Sequence, residues 1–280
     1  MSTDSTWLRC PNCSSALDAV DERVYGCASG HRFDRSKYGY LTLLPPKAPR
    51  TVGDDRDMLT ARARLLERQV FAPIADVLNS FVSDDRATAS APRVADLGCG
   101  SGYYSARLVD SIPSARILVA DRSPDAVRMA LRAVPVATGV VLDIWRPIPV
   151  RDATADVILN VFAPRNPAEF RRILRPEGRL IVVVPTAAHL GELRVRGALL
   201  DIPPEKDAAV SDQLRSAGFA RRAGRRVEYE VDADPELRAQ LAGMGPSAHH
   251  SAALAVPDDD DVARVTVSVD VITFEVAHPS

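Results

Sequence analysis

Three of the four cysteines and one histidine lie within the first 31 residues, in a spacing that suits a metal ion. Two residues separate Cys10 from Cys13, and three separate Cys27 from His31. Each close pair can direct two side chains at one ion, and three thiolates with one imidazole match tetrahedral Zn²⁺. A redox-active CxxC would usually open a helix, whereas Pro11 and the polar residues after it favour a turn. Four protein ligands predict a structural zinc site, which stabilises about 35 residues that could hardly build a core alone.

A second candidate site is the stretch DLGCGSG, which follows an apolar run. Gly98, Gly100 and Gly102 allow a tight turn from strand to helix and a close approach of the backbone to a ligand. Asp96 precedes the loop, and Asp121 ends the next apolar run. An acid at the tip of a second strand can accept hydrogen bonds from ribose hydroxyls. The pattern therefore predicts a nucleoside-type cofactor.

Nicotinamide and S-adenosylmethionine are the two cofactors that compete for this loop. A dinucleotide fingerprint requires G-x-G-x-x-G, but here tyrosines follow Gly102. DLGCGSG is instead similar to motif I of the class I S-adenosylmethionine-dependent methyltransferases. The resemblance implies that Asp96 and the loop hold the methionine part of the cofactor. It also implies that Asp121 holds the ribose and Asp143 the adenine amino group, although Asp121 also stands where it could begin a helix.

Alternating apolar and helical patterns continue along the rest of the chain. From Arg93, strand-like runs such as RILVAD and RLIVVVP alternate with helical patterns, which predicts the α/β fold class: a mostly parallel, Rossmann-like sheet covered on both faces. Two late runs, RRVEYEVDAD and VARVTVSVDVITFEV, predict an antiparallel pair at one edge. YLTLL predicts a strand that closes the zinc module, and DMLTARARLLERQVFAPIADVLNSFV a helix broken near Pro73. We therefore divide the chain into a zinc-binding module (1–45), to which the family resemblance adds RNA recognition, a linker with a bridging helix (46–90) and a methyltransferase domain (91–280).

The combination of these motifs resembles one family. RCPNC and GCASGHRFDRSKYGYLTLL, then DMLTARARLLERQVFAPI, then DLGCGSGYY are similar to the RlmA family of large-subunit ribosomal RNA guanine-N1 methyltransferases. LNVFAPRNPAEFRRILRPEGRLIVVVPTAAHLGEL is similar to the family's fourth-strand and fifth-strand motifs, and MGPSAHH to its C-terminal pocket loop. NVFAPRNP resembles the branch that includes the tylosin-resistance methyltransferase.

The resemblance implies roles for single residues. The four zinc-ligand positions match without departure. Phe71 stands where many members have a tyrosine that touches the cofactor, so only stacking carries over. His189 matches a histidine close to the cofactor; without the resemblance it would be read as a structural residue at a helix start. The cofactor-binding residues predicted in this way are Phe71, Asp96, Gly98, Gly100, Ser101, Gly102, Tyr103, Asp121, Asp143, Ile144 and His189.

The resemblance also implies a substrate, a guanine in a 23S rRNA loop that lines the peptide exit tunnel, and a contribution to macrolide resistance of the tylosin type. Methyl transfer to a ring nitrogen is an in-line displacement, so catalysis depends mainly on positioning. Asn160, Phe162 and Pro164 follow the predicted fourth strand, and we expect them to orient and stack the flipped base. Asn160→Ala is expected to keep cofactor affinity and to lose turnover.

Bulk composition limits the kinds of partner. The net charge of -2 gives no global basic field, so RNA must be bound by local patches. The N-terminus lacks the layout of a secretory signal and the apolar runs are short, which predicts a cytoplasmic protein without a membrane partner. The resemblance also hints at a homodimer. A small-molecule S-adenosylmethionine-dependent methyltransferase of secondary metabolism is the alternative, but it would not need a zinc module. Candidate RNA contacts are Arg32, Arg35, Lys37, Arg62, Arg64 and the run RRAGRR at 221–226.

Overall fold

The computed structural model describes residues 3–45, 56–83, 91–195, 199, 201–244 and 263–277. Most of the predicted linker and all of MGPSAHH beyond Met244 lie outside the described residues. The strands are β1 (Asp18–Ala19), β2 (Val24–Gly26), β3 (Arg32–Asp34), β4 (Tyr40–Thr42), β5 (Arg93–Leu97), β6 (Arg116–Asp121), β7 (Thr138–Val141), β8 (Ala155–Val161), β9 (Leu174–Pro185), β10 (Phe219–Ala233) and β11 (Ala263–Val276). The helices are α1 (Arg56–Glu67), α2 (Ala72–Ser83), α3 (Tyr103–Ser111), α4 (Pro124–Ala133), α5 (Pro167–Ile173), α6 (Gly191–Val195), α7 (Lys206–Ser216) and α8 (Pro235–Ala242).

Eight strands form one large sheet in the order β10-β11-β9-β8-β5-β6-β7-β4. The pairs from β9 through β8, β5, β6 and β7 to β4 are parallel, whereas β11 pairs antiparallel with both β9 and β10. The predicted parallel sheet with an antiparallel pair at one edge is confirmed. Because β6 lies on one side of β5 and β8 on the other, the strand order reverses at β5. Ligands of such sheets bind at the carboxyl end of the strands at this switch point.

The sheet is buried on both faces, as its continuous apolar strands predict. Along β6, Ile117 and Val119 belong to one apolar cluster, and Leu118 and Ala120 belong to another. The α1–α2 segment packs in the first cluster and bends between Glu67 and Ala72, where Gln69 takes a positive φ of 59°. The helix break expected near Pro73 is therefore confirmed.

A three-stranded antiparallel sheet, β1-β2-β3, forms the N-terminal module that carries the predicted zinc ligands; we call this module the ribbon. YLTLL forms the predicted strand, β4, and its Leu41 makes an antiparallel bridge to Arg35 of the module. The strand does more than close the module, because it also pairs in parallel with β7 and becomes the outer strand of the large sheet. Leu41 and Leu43 are buried in one cluster with Leu118 and Val140. The large sheet buries these leucines, and the ribbon has too few residues to do so alone.

Candidate active site

The glycine loop lies between the end of β5 and the start of α3, at the switch point of the sheet. Gly98, Gly100 and Gly102 have φ values of 92°, 51° and 82°, in the left-handed region that favours glycine. A Cβ on Gly98 would collide with Cβ of Ala163, and one on Gly102 would lie 2.6 Å from Cα of Ala130. The loop is thus held against two neighbouring segments, which leaves its other side to a ligand.

Two carboxylates flank this loop. Burial raises the pKa of Asp96 to about 7, although Ser105 donates a hydrogen bond of 2.6 Å to its Oδ2 and opposes the change. A bound cation would favour the ionised form of such a group, as the ammonium of a methionine moiety would. Asp121 accepts the N–H of Gly100 at 3.0 Å and the N–H of Ser123 at 2.9 Å. Each carboxylate oxygen can accept more than one bond, so Asp121 keeps capacity for ribose hydroxyls.

The third acid, Asp143, follows β7 and is buried. It forms an ion pair with Arg122, and its Oδ1 accepts the N–H of Trp145 at 3.1 Å. Ile144 beside it is nearly covered. Asp96 is the last but one residue of β5, Asp121 ends β6 and Asp143 follows β7, so the three acids lie at the carboxyl ends of three adjacent strands.

Three stacked rings form an aromatic wall, and Ala163, the neighbour of one of them, lies against Gly98 of the loop. The ring of His189 stacks between Phe71 and Phe162, with centroid distances of 6.3 Å and 6.1 Å. Phe71 is fully buried, whereas Phe162 is 42% exposed and has a positive φ of 52°. A strained, exposed phenylalanine costs stability and is typical of a functional position. The wall thus has a closed end at Phe71 and an open end at Phe162.

The imidazole in this wall is neutral. Burial lowers the pKa of His189 to about 4, with Arg194 and Lys206 acting in the same direction. Its Nδ1 accepts the backbone N–H of Ser268 at 3.2 Å, so the single ring proton is assigned to Nε2. His189 can therefore donate a hydrogen bond at neutral pH but is a poor proton acceptor.

Asn160 and Pro164 connect this wall to the glycine loop. Asn160 is fully buried in β8, and its amide donates to the carbonyl of Leu97 at 3.3 Å and to that of Pro164 at 2.8 Å. Its Oδ1 has no partner among the described residues. Pro164 is exposed at the rim. Asn160 thus ties the end of β5 to the segment that carries Phe162.

The four predicted zinc ligands converge. Cys10, Cys13, Cys27 and His31 place their ligand atoms within 4.8 Å of one another. Cys13 and Cys27 are 3.6 Å apart at Sγ, and Cys27 lies 3.3 Å from Nδ1 of His31. Tetrahedral zinc with bonds of about 2.3 Å separates its ligands by roughly 3.8 Å, so the set fits the ion. The hydroxyls of Ser29 and Ser15 lower the pKa of Cys13 to about 5, which favours the thiolate that zinc binds.

Other side chains at the site carried no recognisable signal in the sequence. Ser105 holds Asp96 from the first turns of α3, and Ser268 holds His189 from β11. The contact between Arg122 and Asp143 joins the ends of β6 and β7. Only Arg122 could have been suspected, since it directly follows the acid at a strand tip. The bond from Ser268 depends on strand pairing across 79 residues and leaves no local pattern.

The residues present also fit S-adenosylmethionine. A Cβ on Gly100 would meet only Nη1 of Arg62 among the described residues, at 4.0 Å, so the backbone of the loop is open to a ligand there. A buried acid favours a cation, and a second acid can take hydroxyls. Fold and site together define a class I methyltransferase that carries an N-terminal zinc ribbon. No helix among the described residues is long and apolar enough to cross a membrane.

Comparisons with known proteins narrow the class to a family. The family model described as RlmA, N-terminal, matches residues 8–51, and that for a methyltransferase domain matches 94–178. The chain is 37% identical to the 23S rRNA (guanine(748)-N(1))-methyltransferase of Streptomyces fradiae, over 98% of this chain and 97% of that protein. It is 40% identical to a protein of Micromonospora griseorubida assigned as a 23S rRNA (guanine-N(1)-)-methyltransferase, over 94% and 90% of the two chains. The protein therefore belongs to the family of the 23S rRNA (guanine-N1) methyltransferases.

Solved structures agree on the fold. A chain from the complex of the Haloferax volcanii Trm112 methyltransferase activator with its methyltransferase superimposes with a TM-score of 0.52. The match covers 81% of this chain and 100% of that one at 17% identity. The predicted α/β methyltransferase fold is confirmed by this likeness.

Proposed function

We propose that the protein transfers the methyl group of S-adenosylmethionine to N1 of a guanine in the 23S rRNA loop that lines the peptide exit tunnel. The observation that carries the proposal is the wall of Phe71, His189 and Phe162 beside the glycine loop, in a chain so similar to a 23S rRNA (guanine(748)-N(1))-methyltransferase. A wall that is open at one aromatic ring suits a planar base that enters from outside.

In this proposal the cofactor is held by the predicted set. Asp96 and the loop from Gly98 to Gly102 bind the methionine part, Asp121 the ribose, and Asp143 with Ile144 the adenine. When bound, S-adenosylmethionine supplies an electrophilic methyl group on a sulfonium. Phe71 closes the inner end of the pocket and excludes water.

The target base is oriented by the segment that follows β8. Phe162 stacks on the base at the open end, and its positive φ of 52° fixes the ring at the pocket mouth. Pro164 borders the same opening, and Asn160 holds both residues in position through the carbonyls of Leu97 and Pro164. The Nε2–H of His189 is available to a ligand oxygen. Positioning of this kind is the main source of catalysis in a displacement that needs no covalent nucleophile.

The proton on guanine N1 must leave when the methyl group arrives. His189 is not its acceptor, because the pKa of its imidazole is about 4 and Nδ1 already accepts the N–H of Ser268. In this proposal water at the exposed rim around Phe162, which is 42% exposed, takes the proton.

The proposed product explains a contribution to resistance. A methyl group on N1 removes a hydrogen-bond donor and adds bulk to the Watson–Crick edge of a base in the tunnel wall. A macrolide bound against that wall would lose contact area and meet the added methyl group. The proposal includes action in the cytoplasm, where the large ribosomal subunit is assembled, by a homodimer.

Primer extension on 23S rRNA tests the proposal, because a methyl group on guanine N1 blocks pairing and stops reverse transcriptase. We expect a stop in the exit-tunnel loop in cells that carry the gene, and no stop in cells without it. Cells that express Asp121→Ala give the matched control for protein without a working cofactor site. A wild-type gene that gives no stop contradicts the proposal and favours the small-molecule methyltransferase.

A further inference from the structure

A cationic cavity lies on the zinc ribbon where its last strand leads to β4. It has a volume of about 360 Å³, and Arg23, Arg35 and Lys37 line it together with three uncharged residues. One of these, Tyr38, is 41% exposed. Its six lining residues include no carboxylate. The cavity therefore offers positive charge and an accessible aromatic ring at one place.

A second cavity, of about 330 Å³, lies between α1 and α4. Four arginines line it, against two carboxylates, so that it also carries excess positive charge. Arg128 and Arg132 come from α4, one turn apart, and Arg56 and Arg64 come from α1. The carboxylates are Glu67 and Asp125.

The two cavities meet at Tyr38. The guanidinium carbon of Arg128, which lines the second cavity, lies 4.3 Å from the centroid of the Tyr38 ring, which lines the first. Nζ of Lys37 lies 5.1 Å from the same centroid. We call the joined surface the basic groove; its cations are Arg23, Arg35, Lys37, Arg56, Arg64, Arg128 and Arg132. The whole chain has a net charge of -2, whereas the basic groove carries a local excess of positive charge.

The basic groove runs beside the candidate active site. Helix α4 begins at Pro124, three residues after Asp121, so Arg128 lies about one turn from the end of β6 and Arg132 about two turns from it. On α1, Arg62 approaches the other side: its Nη1 would lie 4.0 Å from a Cβ on Gly100. A chain bound in the groove would therefore pass alongside the glycine loop.

The other arginine-rich segment is placed differently. The run RRAGRR lies on β10, at the opposite edge of the large sheet from β4. Arg222 pairs with Glu275 at 2.6 Å and Arg226 with Asp270 at 3.0 Å, which are shorter ion pairs than that of Arg128 with Asp125 in the basic groove, at 3.9 Å. The basic groove is the better match for a polyanion.

We propose that the basic groove binds the sugar–phosphate backbone of 23S rRNA, with phosphates on its arginines and on Lys37. This inference rests on the proposed function, since it supplies the binding surface for the same substrate. Backbone contacts of this kind position the RNA without reading its sequence and make affinity strongly dependent on salt. Arg23, Arg56, Arg128 and Arg132 were not suspected from the sequence, because only folding brings α4 and the ribbon together.

Two double variants test the groove at its two ends: Arg23→Gln with Lys37→Gln on the ribbon, and Arg64→Gln with Arg132→Gln on the helices. The matched control is Arg215→Gln with Arg264→Gln, which removes two cations that are 71% and 73% exposed and lie outside both cavities. Filter binding to in vitro transcribed 23S rRNA, with S-adenosylhomocysteine present, gives the affinity at several salt concentrations. Calorimetry gives the affinity for S-adenosylhomocysteine, and thermal melting confirms folding.

We expect each groove variant to bind 23S rRNA about tenfold more weakly near 0.15 M salt, with a salt slope smaller by about 1.5. Affinity for S-adenosylhomocysteine should be unchanged, and in the methylation assay KM for RNA should rise at constant kcat. RNA affinity equal to that of the control, or loss in only one of the two variants, overturns the groove. The proposal would also be overturned if the groove variants bound inorganic phosphate more weakly than wild type but bound 23S rRNA equally well. The groove would then be a site for free anions. Groove-dependent RNA binding without a primer-extension stop would instead contradict the proposed reaction alone.

Discussion

His189 shows how the surroundings of one residue fix its chemistry. Burial keeps its pKa at about 4 in the folded protein, whereas an unfolded chain takes up a proton near pH 6.5. Between these values the unfolded state binds more protons than the folded state. The stability that comes from this group is therefore complete above pH 6.5 and is lost as the pH falls towards 4. A lowering of this size corresponds to about 3 kcal/mol.

His189→Gln should remove that pH dependence. We expect the difference in free energy of unfolding between wild type and variant to shrink as the pH falls from 7 to 4.5, measured by urea titration at each pH. Asp96, whose raised pKa acts in the opposite sense over the same range, is present in both proteins and cancels in the difference. A difference that stays constant with pH contradicts the neutral, buried imidazole.

Asn160 is expected to act by positioning. Asn160→Ala leaves the carbonyls of Leu97 and Pro164 without their buried donor, which costs about 1–3 kcal/mol of stability. The segment that carries Phe162 then loses its tie to the loop, and kcat should fall about 100-fold while affinity for S-adenosylmethionine changes little. Single-turnover methylation and calorimetry measure the two effects.

Asn79 provides the matched control for Asn160. It is also buried, and its amide makes two bonds of 3.0 Å, to the carbonyl of Arg107 and the hydroxyl of Ser111. Asn79→Ala should cost similar stability and leave kcat within a factor of two or so. Equal losses of kcat in both variants would mean that lowered stability, not position at the site, explains the effect of Asn160→Ala.

Among the elements, the turn from β5 to α3 depends most on one residue. Gly102 begins α3 with a φ of 82°, and a Cβ there would lie 2.6 Å from Cα of Ala130 in α4. Gly102→Ala must therefore push α3 away from α4, and we expect a loss of about 3 kcal/mol together with much weaker cofactor binding. Gly30→Ala is the control, because Gly30 has a similar φ of 85° but no atom within 4 Å of an added Cβ. Chemical denaturation should show that Gly30→Ala lowers the free energy of unfolding by only about 1 kcal/mol. If Gly30→Ala and Gly102→Ala lowered it equally, backbone strain alone would explain the effect of Gly102→Ala.

Elements were predictable where their signal is local. The zinc ligands occur within 22 residues, and the strands from β5 to β9 contain short apolar runs that alternate with helical patterns. The partner of β4 was not predictable, because its pairing with β7 joins segments about 100 residues apart and leaves no mark in either sequence. The contact of Arg128 with Tyr38 was missed for the same reason.

On the scale of the whole molecule, the ribbon and the large sheet share one apolar core. Trp7, Leu8 and Leu17 from the ribbon segment belong to the same buried cluster as Leu118 and Val140 of the large sheet. The guanidinium of Arg93, at the start of β5, lies 4.0 Å from the centre of the Trp7 ring. We propose that the boundary near residue 45 separates two functions, RNA recognition and methyl transfer. The shared core nevertheless predicts that the ribbon and the large sheet unfold together.

Zinc removal should therefore destabilise the entire chain. Structural zinc contributes its binding energy to folding, so excess EDTA should lower Tm by at least about 10 °C in a single calorimetric transition. Cys13→Ser should behave like the chelated protein and contain less than one zinc ion per chain by mass spectrometry. Cys99→Ala is the control, because Cys99 is buried in the glycine loop, far along the chain from the zinc ligands, and should keep full zinc content. An early transition that leaves the main Tm unchanged would show that the ribbon melts alone, and the shared core would then contribute little to cooperativity.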